Sequence, residues 1–302
     1  MTAYSVVCLS GDGIGPEVMA QASRGLTAAA HLHGFAVDED HVPFGADATM
    51  RFGHPFPPAA RRAALAADAV LAATVDRGLL RTLEAELDVR AGLVRVRRNG
   101  SALTVLAPLV PDAWAWTLER AVATAHASRG ALAFVGAEEG WTEEAAAAAK
   151  HEHGLEVSRY STRRAIQQLV SEPTAFDVIV CERALLAPLG ELAWCLDPRR
   201  VHAWGRLAAD GPGIFGPSHG TATEIAGQGV ADPSSMLLAA ALMLGEGLGE
   251  RGAAATLSTA VSSVRNDGTR PRRVTMTAEL TDAVLARLPQ SHSNAEFLTE
   301  AV

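Results

Sequence analysis

The stretch from Gly216 to Leu248, GPSHGTATEIAGQGVADPSSMLLAAALMLGEGL, leaves the chain little conformational choice. Gly216, Pro217, Gly220, Gly227 and Gly229 interrupt its first half, which therefore predicts an irregular loop. The character switches at Asp232-Pro233, where Asp232 is placed to cap and Pro233 to open a strongly apolar helix over 233–248. A loop so poor in side chains lets backbone N–H groups approach a ligand closely. His219 and Glu224 add an imidazole and a carboxylate suited to reading a ribose or a base. A glycine-rich surface loop leading into a core helix accounts for the same residues, and the loop alone does not separate the two readings.

Upstream, the pattern is one of alternating strands and helices. Tyr4–Leu9 predicts a buried strand, a glycine turn occupies 11–15, and a helix runs from Pro16 to about His33, where Gly34 stops it. A strand over 35–42, a helix over 59–67 and a strand over 68–74 follow. This β-α-β-α-β opening argues for an α/β sheet covered by helices on both faces. The turn reads G-x-G-x-G, with no acidic residue at the place a Rossmann dinucleotide site needs one, so a Rossmann fold is not expected. Further along, helices are predicted over 79–89, 114–127, 142–150, 162–170 and 184–194, the last weakened by Pro188. Strands are predicted over 93–96, 102–106, 131–135, 155–159 and 176–181, and helices over 252–264 and about 277–288. The polar end from Ser291 is expected to fray.

The balance of residues narrows the partners. Of 302 residues 48% are hydrophobic and 20% charged, and the net charge of −8 speaks against nucleic acid and against anionic membrane surfaces. Arg95, Arg97 and Arg98, and again Arg270, Arg272 and Arg273, form short basic clusters of the kind usually found on solvated faces. Cys8, Cys181 and Cys195 lack metal-ligand spacing, and the first two lie in apolar runs as buried thiols would. No basic stretch followed by a long apolar run opens the chain and nothing reaches membrane-spanning length, which fits a reducing cytoplasm.

Two long motifs resemble the β-decarboxylating dehydrogenases, the isopropylmalate and isocitrate dehydrogenase family. One is Gly11-Asp12-Gly13-Ile14-Gly15-Pro16-Glu17-Val18, just after the first strand. The other is His219-Gly220-Thr221-Ala222-Thr223-Glu224-Ile225-Ala226-Gly227-Gln228-Gly229-Val230-Ala231-Asp232-Pro233, similar to that family's nucleotide-binding loop. The resemblance implies an α/β fold of two α/β domains sharing a central sheet. Residues 1–86 and 198–302 would form the discontinuous nucleotide-binding domain, and 87–197 a smaller dimerisation domain. The family's dimer-clasping arm has no counterpart between Pro108 and Trp116, which implies its deletion.

By the same resemblance, His219, Gly220, Thr221, Ala222, Glu224, Ile225, Gly227 and Asp232 would hold NAD or another adenine nucleotide. Glu224 stands where the family's aspartate accepts from the ribose 2′-hydroxyl, and an acid there repels a 2′-phosphate and favours NAD over NADP. Arg90 lines up with one arginine of the family's substrate clamp, and Arg81 falls near another. The chemistry itself requires Mg²⁺ or Mn²⁺ held by aspartates, and a lysine that moves a proton. The lysine position falls at Ala137, the metal aspartate that a neighbouring subunit supplies at Arg163, and the remaining metal aspartates at Ala187 and Glu191, so the metal ligands are absent.

Three functions follow from this pattern. The first is a family member without the metal-dependent oxidative decarboxylase activity, retaining the nucleotide loop in a regulatory or assembly role. It would act as a homodimer or as a heteromer with a complete paralogue. The second is a working NAD-dependent dehydrogenase of the 3-isopropylmalate dehydrogenase kind, acting on a small 2-hydroxy acid with a rearranged site. The third is a repurposed enzyme using Glu138, Glu139, Trp141 and His219 on another small molecule.

Overall fold

The computed structural model describes residues 2–98, 101–136, 146–147, 149–151, 153–172, 174–196, 201–266 and 276–289. Ten strands form one mixed sheet. They are β1 (Ala3–Leu9), β2 (Ala36–His41), β3 (Ala69–Ala72), β4 (Val89–Arg98), β5 (Ser101–Pro108), β6 (Ala131–Val135), β7 (Glu156–Tyr160), β8 (Val178–Cys181), β9 (Val201–Ala208) and β10 (Gly213–Pro217). Their order across the sheet is β2-β1-β3-β10-β9-β4-β5-β8-β6-β7. Parallel pairs make up both flanks, and the centre, β10-β9-β4-β5, is antiparallel. Strands from residues 3–72 and 201–217 therefore fill one half of the sheet, and strands from residues 89–181 fill the other.

Because side chains alternate along each strand, the sheet feeds two cores. On one face Val6, Cys8, Leu71, Phe215, Leu93 and Phe134 pack under helices α1 (Gly15–His33), α5 (Trp114–His126), α8 (Ser234–Leu242), α9 (Arg251–Asn266) and α10 (Thr277–Leu285). On the other face Val7, Leu9, Val70, Ile214, Val94 and Ile179 pack under α3 (Pro58–Ala66), α4 (Arg77–Glu86), α6 (Thr162–Ser171) and α7 (Arg183–Cys195). A short α2 (Ala46–Phe52) precedes α3. Between α8 and α9 the backbone widens into a π-helical turn over Met243–Gly247.

Several boundaries differ from the periodicity. The helix predicted over 79–89 ends at Glu86, because Asp88 adopts φ 47° and turns the chain into β4 at Val89. Aspartate tolerates the left-handed region better than most residues. Strands β9 and β10 and helix α2 do not stand among the predicted elements. In β9 the polar members of the alternation, His202, Trp204 and Arg206, are turned inward rather than to solvent. Most of the helix predicted over 142–150 lies outside the described residues. From Pro108 the chain reaches α5 through one 3₁₀ turn, Pro111–Ala113, leaving no room for an arm there. Cys8 and Cys181 are buried, and burial pushes both thiols above their ordinary pKa.

Candidate functional site

The two long motifs meet in space. The Ile14 N–H donates to the Thr221 carbonyl at 2.8 Å, and the Gly229 N–H donates to Glu17 Oε2 at 3.3 Å. Gly13 sits at φ 61°, and a Cβ there would run into the Thr221 carbonyl, so close approach and conformation both require glycine. Gly11 is held against Thr74, whose Oγ1 accepts from the Asp12 N–H at 2.8 Å and donates to the Asp12 carbonyl at 2.9 Å.

The loop after β10 is pinned at its base and open at its tip. Ser218 and Ser235 both donate to the His202 carbonyl, at 3.0 and 2.5 Å, which ties the loop and the start of α8 to β9. Asp232 accepts from the Ser234 N–H at 2.9 Å in a local turn and pairs with Arg265, but the N-cap of α8 is Pro233, which has no side-chain cap, so Asp232 is not the cap expected from the sequence. The helix itself starts at Ser234 rather than Pro233. Gly220, Thr221, Glu224 and Gly227 are exposed. Ala222 is held at φ 38°, a conformation that costs an L-residue roughly 1–2 kcal/mol. Ile225 packs partly against the core beneath.

Beside the loop lies a cavity of about 210 Å³ on the α4/α7 face of the sheet. Its floor is Val94 of β4 with His202, Trp204 and Arg206 of β9; α7 supplies Leu186, Ala187 and Glu191, and the loop supplies His219. His219 Nδ1 lies 3.1 Å from the Gly220 carbonyl, an arrangement that puts the proton on Nδ1 and leaves Nε2 as an acceptor. That Nε2 is buried with no hydrogen-bond partner. Burial holds His219 below the ordinary histidine pKa, so the ring is neutral near pH 7. His202 is held down by burial as well, against the opposing pull of Glu191, whose Oε1 is 3.4 Å from His202 Nε2. Trp194 stacks on His202 with ring centroids 4.6 Å apart.

Arg206 lines this cavity, Arg90 and Arg183 do not, and all three are engaged by carboxylates of the chain. Arg206 Nε donates to Glu84 Oε1 at 2.6 Å, both side chains being mostly buried, and Arg183 reaches Glu84 Oε2 at 3.4 Å. Arg90 donates to Asp112 at 2.7 Å and lies 3.7 Å from Asp88. Arg81, on the outer side of α4, is exposed and does not line the cavity.

Of the positions that the resemblance assigns to metal chemistry, the two from one chain meet in the cavity, and the third, Arg163, belongs to the position a neighbouring subunit would supply. Ala187 and Glu191 both face the cavity from α7, one turn apart, while Arg163 is exposed on the first turn of α6. Ala137, Glu138, Glu139 and Trp141 lie outside the described residues. One carboxylate already engaged by a histidine, with a methyl group beside it, does not make a site for a hard dication, which takes six or more oxygens. Among the described residues this cavity does not fit Mg²⁺ or Mn²⁺. His202, Trp204 and Arg206 escaped notice in the sequence, although their i, i+2, i+4 spacing marks one face of a strand.

A long mixed sheet covered on both faces, with a cavity beside a glycine-rich loop that leads into a helix, defines an α/β protein built on one ten-stranded sheet. The sequence places it further. The isocitrate/isopropylmalate dehydrogenase family matches residues 5–123 and 202–285, and the chain belongs to that family. It is 30% identical to 3-isopropylmalate dehydrogenase of Prochlorococcus marinus (strain MIT 9313), over 89% of this chain and 93% of that one. It is 29% identical to the enzyme of the same name from Synechococcus sp. (strain CC9605), with the same coverage. Among solved structures it superposes on a β-decarboxylating dehydrogenase from Thermococcus kodakarensis with a TM-score of 0.79, at 23% identity, covering 94% of this chain and 96% of that one. Isocitrate dehydrogenase from Methylococcus capsulatus gives the same TM-score at 22% identity, covering 95% and 100%.

Proposed function

We propose that this chain is a family member that has given up metal-dependent oxidative decarboxylation and binds NAD or a related adenine nucleotide at 219–232, in a regulatory or assembly role. The cleft carries this reading. By the resemblance, Ala187 in the cavity and Arg163 outside it stand at metal-aspartate positions, and Arg90, which the resemblance would make a clamp arginine, lies outside the cavity and is engaged by Asp112. With Glu84 on Arg206, the chain's own carboxylates occupy its guanidiniums, so little positive charge is left for a small diacid.

Within the nucleotide loop the backbone does the binding. The open glycine at 220 admits close approach, His219 offers an unpartnered Nε2, and exposed Glu224 provides an acceptor for a ribose hydroxyl. NAD supplies hydride-transfer chemistry wherever it is used, and this chain's part would be to seat and orient it.

A second reading keeps an active NAD-dependent hydroxy-acid dehydrogenase. It draws on the same His219 Nε2 and on the Glu191–His202 pair, which could hold and move a proton beside the cavity. Calorimetry with NAD, NADH, AMP and ATP, followed by assays with isopropylmalate, isocitrate and malate with and without Mg²⁺ or Mn²⁺, tests both. Nucleotide binding without metal-stimulated NADH formation is expected. Metal-stimulated turnover would overturn the first reading, and absence of any nucleotide binding would remove its cofactor half.

A further inference from the structure

The basic cluster at Arg95 and Arg97 is not on a solvated face. Strand alternation sends Val94 and Val96 into the α4/α7 core and Arg95 and Arg97 to the opposite side of the sheet. There they floor a second cavity of about 270 Å³, walled by α5, the π-helical turn and α9. Arg120 of α5 and Arg251 at the start of α9 also line it. Against these four guanidiniums the lining offers one carboxylate, Glu246, which leaves three positive charges in excess.

The distribution of partners is uneven. Arg95 is satisfied, its Nη2 donating to Glu246 at 2.8 Å and its Nε to Thr104 Oγ1 at 3.1 Å. Arg97 is not. Its Nη2 donates to the Thr259 hydroxyl at 3.1 Å, and its Nε is buried without an acceptor. Among the described residues no carboxylate pairs with Arg97, and burial together with the charge of Arg95 pulls its pKa below the ordinary arginine value. Arg120 lies over the Trp116 ring, 5.1 Å from its centroid. The π-helical turn, a conformation that recurs at functional sites, brings Gly245 and Glu246 to the rim.

Guanidiniums crowded into a walled groove are unfavourable unless something anionic joins them, and their planar forks match oxyanions. We propose that this groove is a binding site for a small, multiply charged oxyanion, a phosphate-bearing or polycarboxylate metabolite. The cavity accommodates a molecule of that size. A nucleic-acid backbone is disfavoured by the net charge of −8. The site is separate from the nucleotide loop and from the cleft, and it stands whether or not either keeps a ligand.

The test is calorimetry of the full chain with pyrophosphate and, separately, with citrate, at low and high salt. One-to-one binding of at least one probe is expected, weakened by salt. Arg97→Gln should weaken it by about tenfold or more, and Arg62→Gln, at an exposed arginine elsewhere, should leave it unchanged. Preference for pyrophosphate would identify the phosphate class, and preference for citrate the polycarboxylate class. Should Arg97→Gln fail to fold, Arg120→Gln carries the same expectation. Binding of neither probe, or equal weakening in Arg62→Gln and the groove variants, overturns the proposal.

Discussion

Single residues around the cleft are held by charge and burial, and both give measurable consequences. Arg206 and Glu84 are largely out of solvent, with 15% and 13% of their side chains exposed. Removing one partner strands the other, so Arg206→Ala is expected to lower unfolding stability by ~3–5 kcal/mol. Replacing both with leucine should recover most of that in a urea titration, and a double variant as unstable as the single would refute the pairing. His202 and His219 are both held below the ordinary histidine pKa by burial. The unfolded chain therefore takes up protons near pH 6.5 that the folded chain refuses. Stability should be full above that value and decline as pH falls from it toward the lower folded values. The urea midpoint of His202→Gln/His219→Gln should lose much of this slope between pH 7.5 and 5, and an unchanged slope would assign the acid sensitivity elsewhere.

At the scale of elements, the helices and flanking strands were legible because their apolar periodicity is strong. Glycine, proline and capping residues also mark their ends, as Gly34 does for α1 and Ser161 for α6, its hydroxyl accepting from the Arg164 N–H. The central antiparallel strands were less legible. In β9 the inward face reads His202, Trp204, Arg206, polar residues that suggest a surface until Glu84, Glu191 and the Pro217 carbonyl are seen to receive them. That burial depends on tertiary partners, which one sequence does not display. The glycine-rich loop after β10 was legible as motif, whereas the paired state of Arg90 and Arg206 required the fold. Pro188 tests helix α7, where it sits in the interior and is exposed. Restoring the missing N–H with Pro188→Ala should stabilise the protein by about 1–2 kcal/mol, since the gained bond outweighs the loosened unfolded chain. No rise in the urea midpoint would mean that the helix has already adapted to the ring.

For the whole molecule, the cavity beside the 218–233 loop and the arginine-lined groove lie on opposite sides of one sheet. Association is the other open property at this scale. Ile166 and Val170, one turn apart on α6, are 42% and 53% exposed, and Trp194 on neighbouring α7 is 38% exposed. Apolar side chains exposed one turn apart on a helix suit a partner surface, and a symmetric pair of chains is the arrangement we propose. Sedimentation should report a dimer, and Val170→Lys should shift it toward monomer with the circular dichroism unchanged; a monomeric parent chain would remove the idea. Strand β4 sets a further condition. Its odd-numbered arginines and even-numbered valines serve different sides of the protein, so inserting one residue ahead of Val94 would exchange them, loading guanidiniums into an oily layer and greasing the anion groove. Descendants of this gene can vary letters in that strand far more freely than they can vary its length.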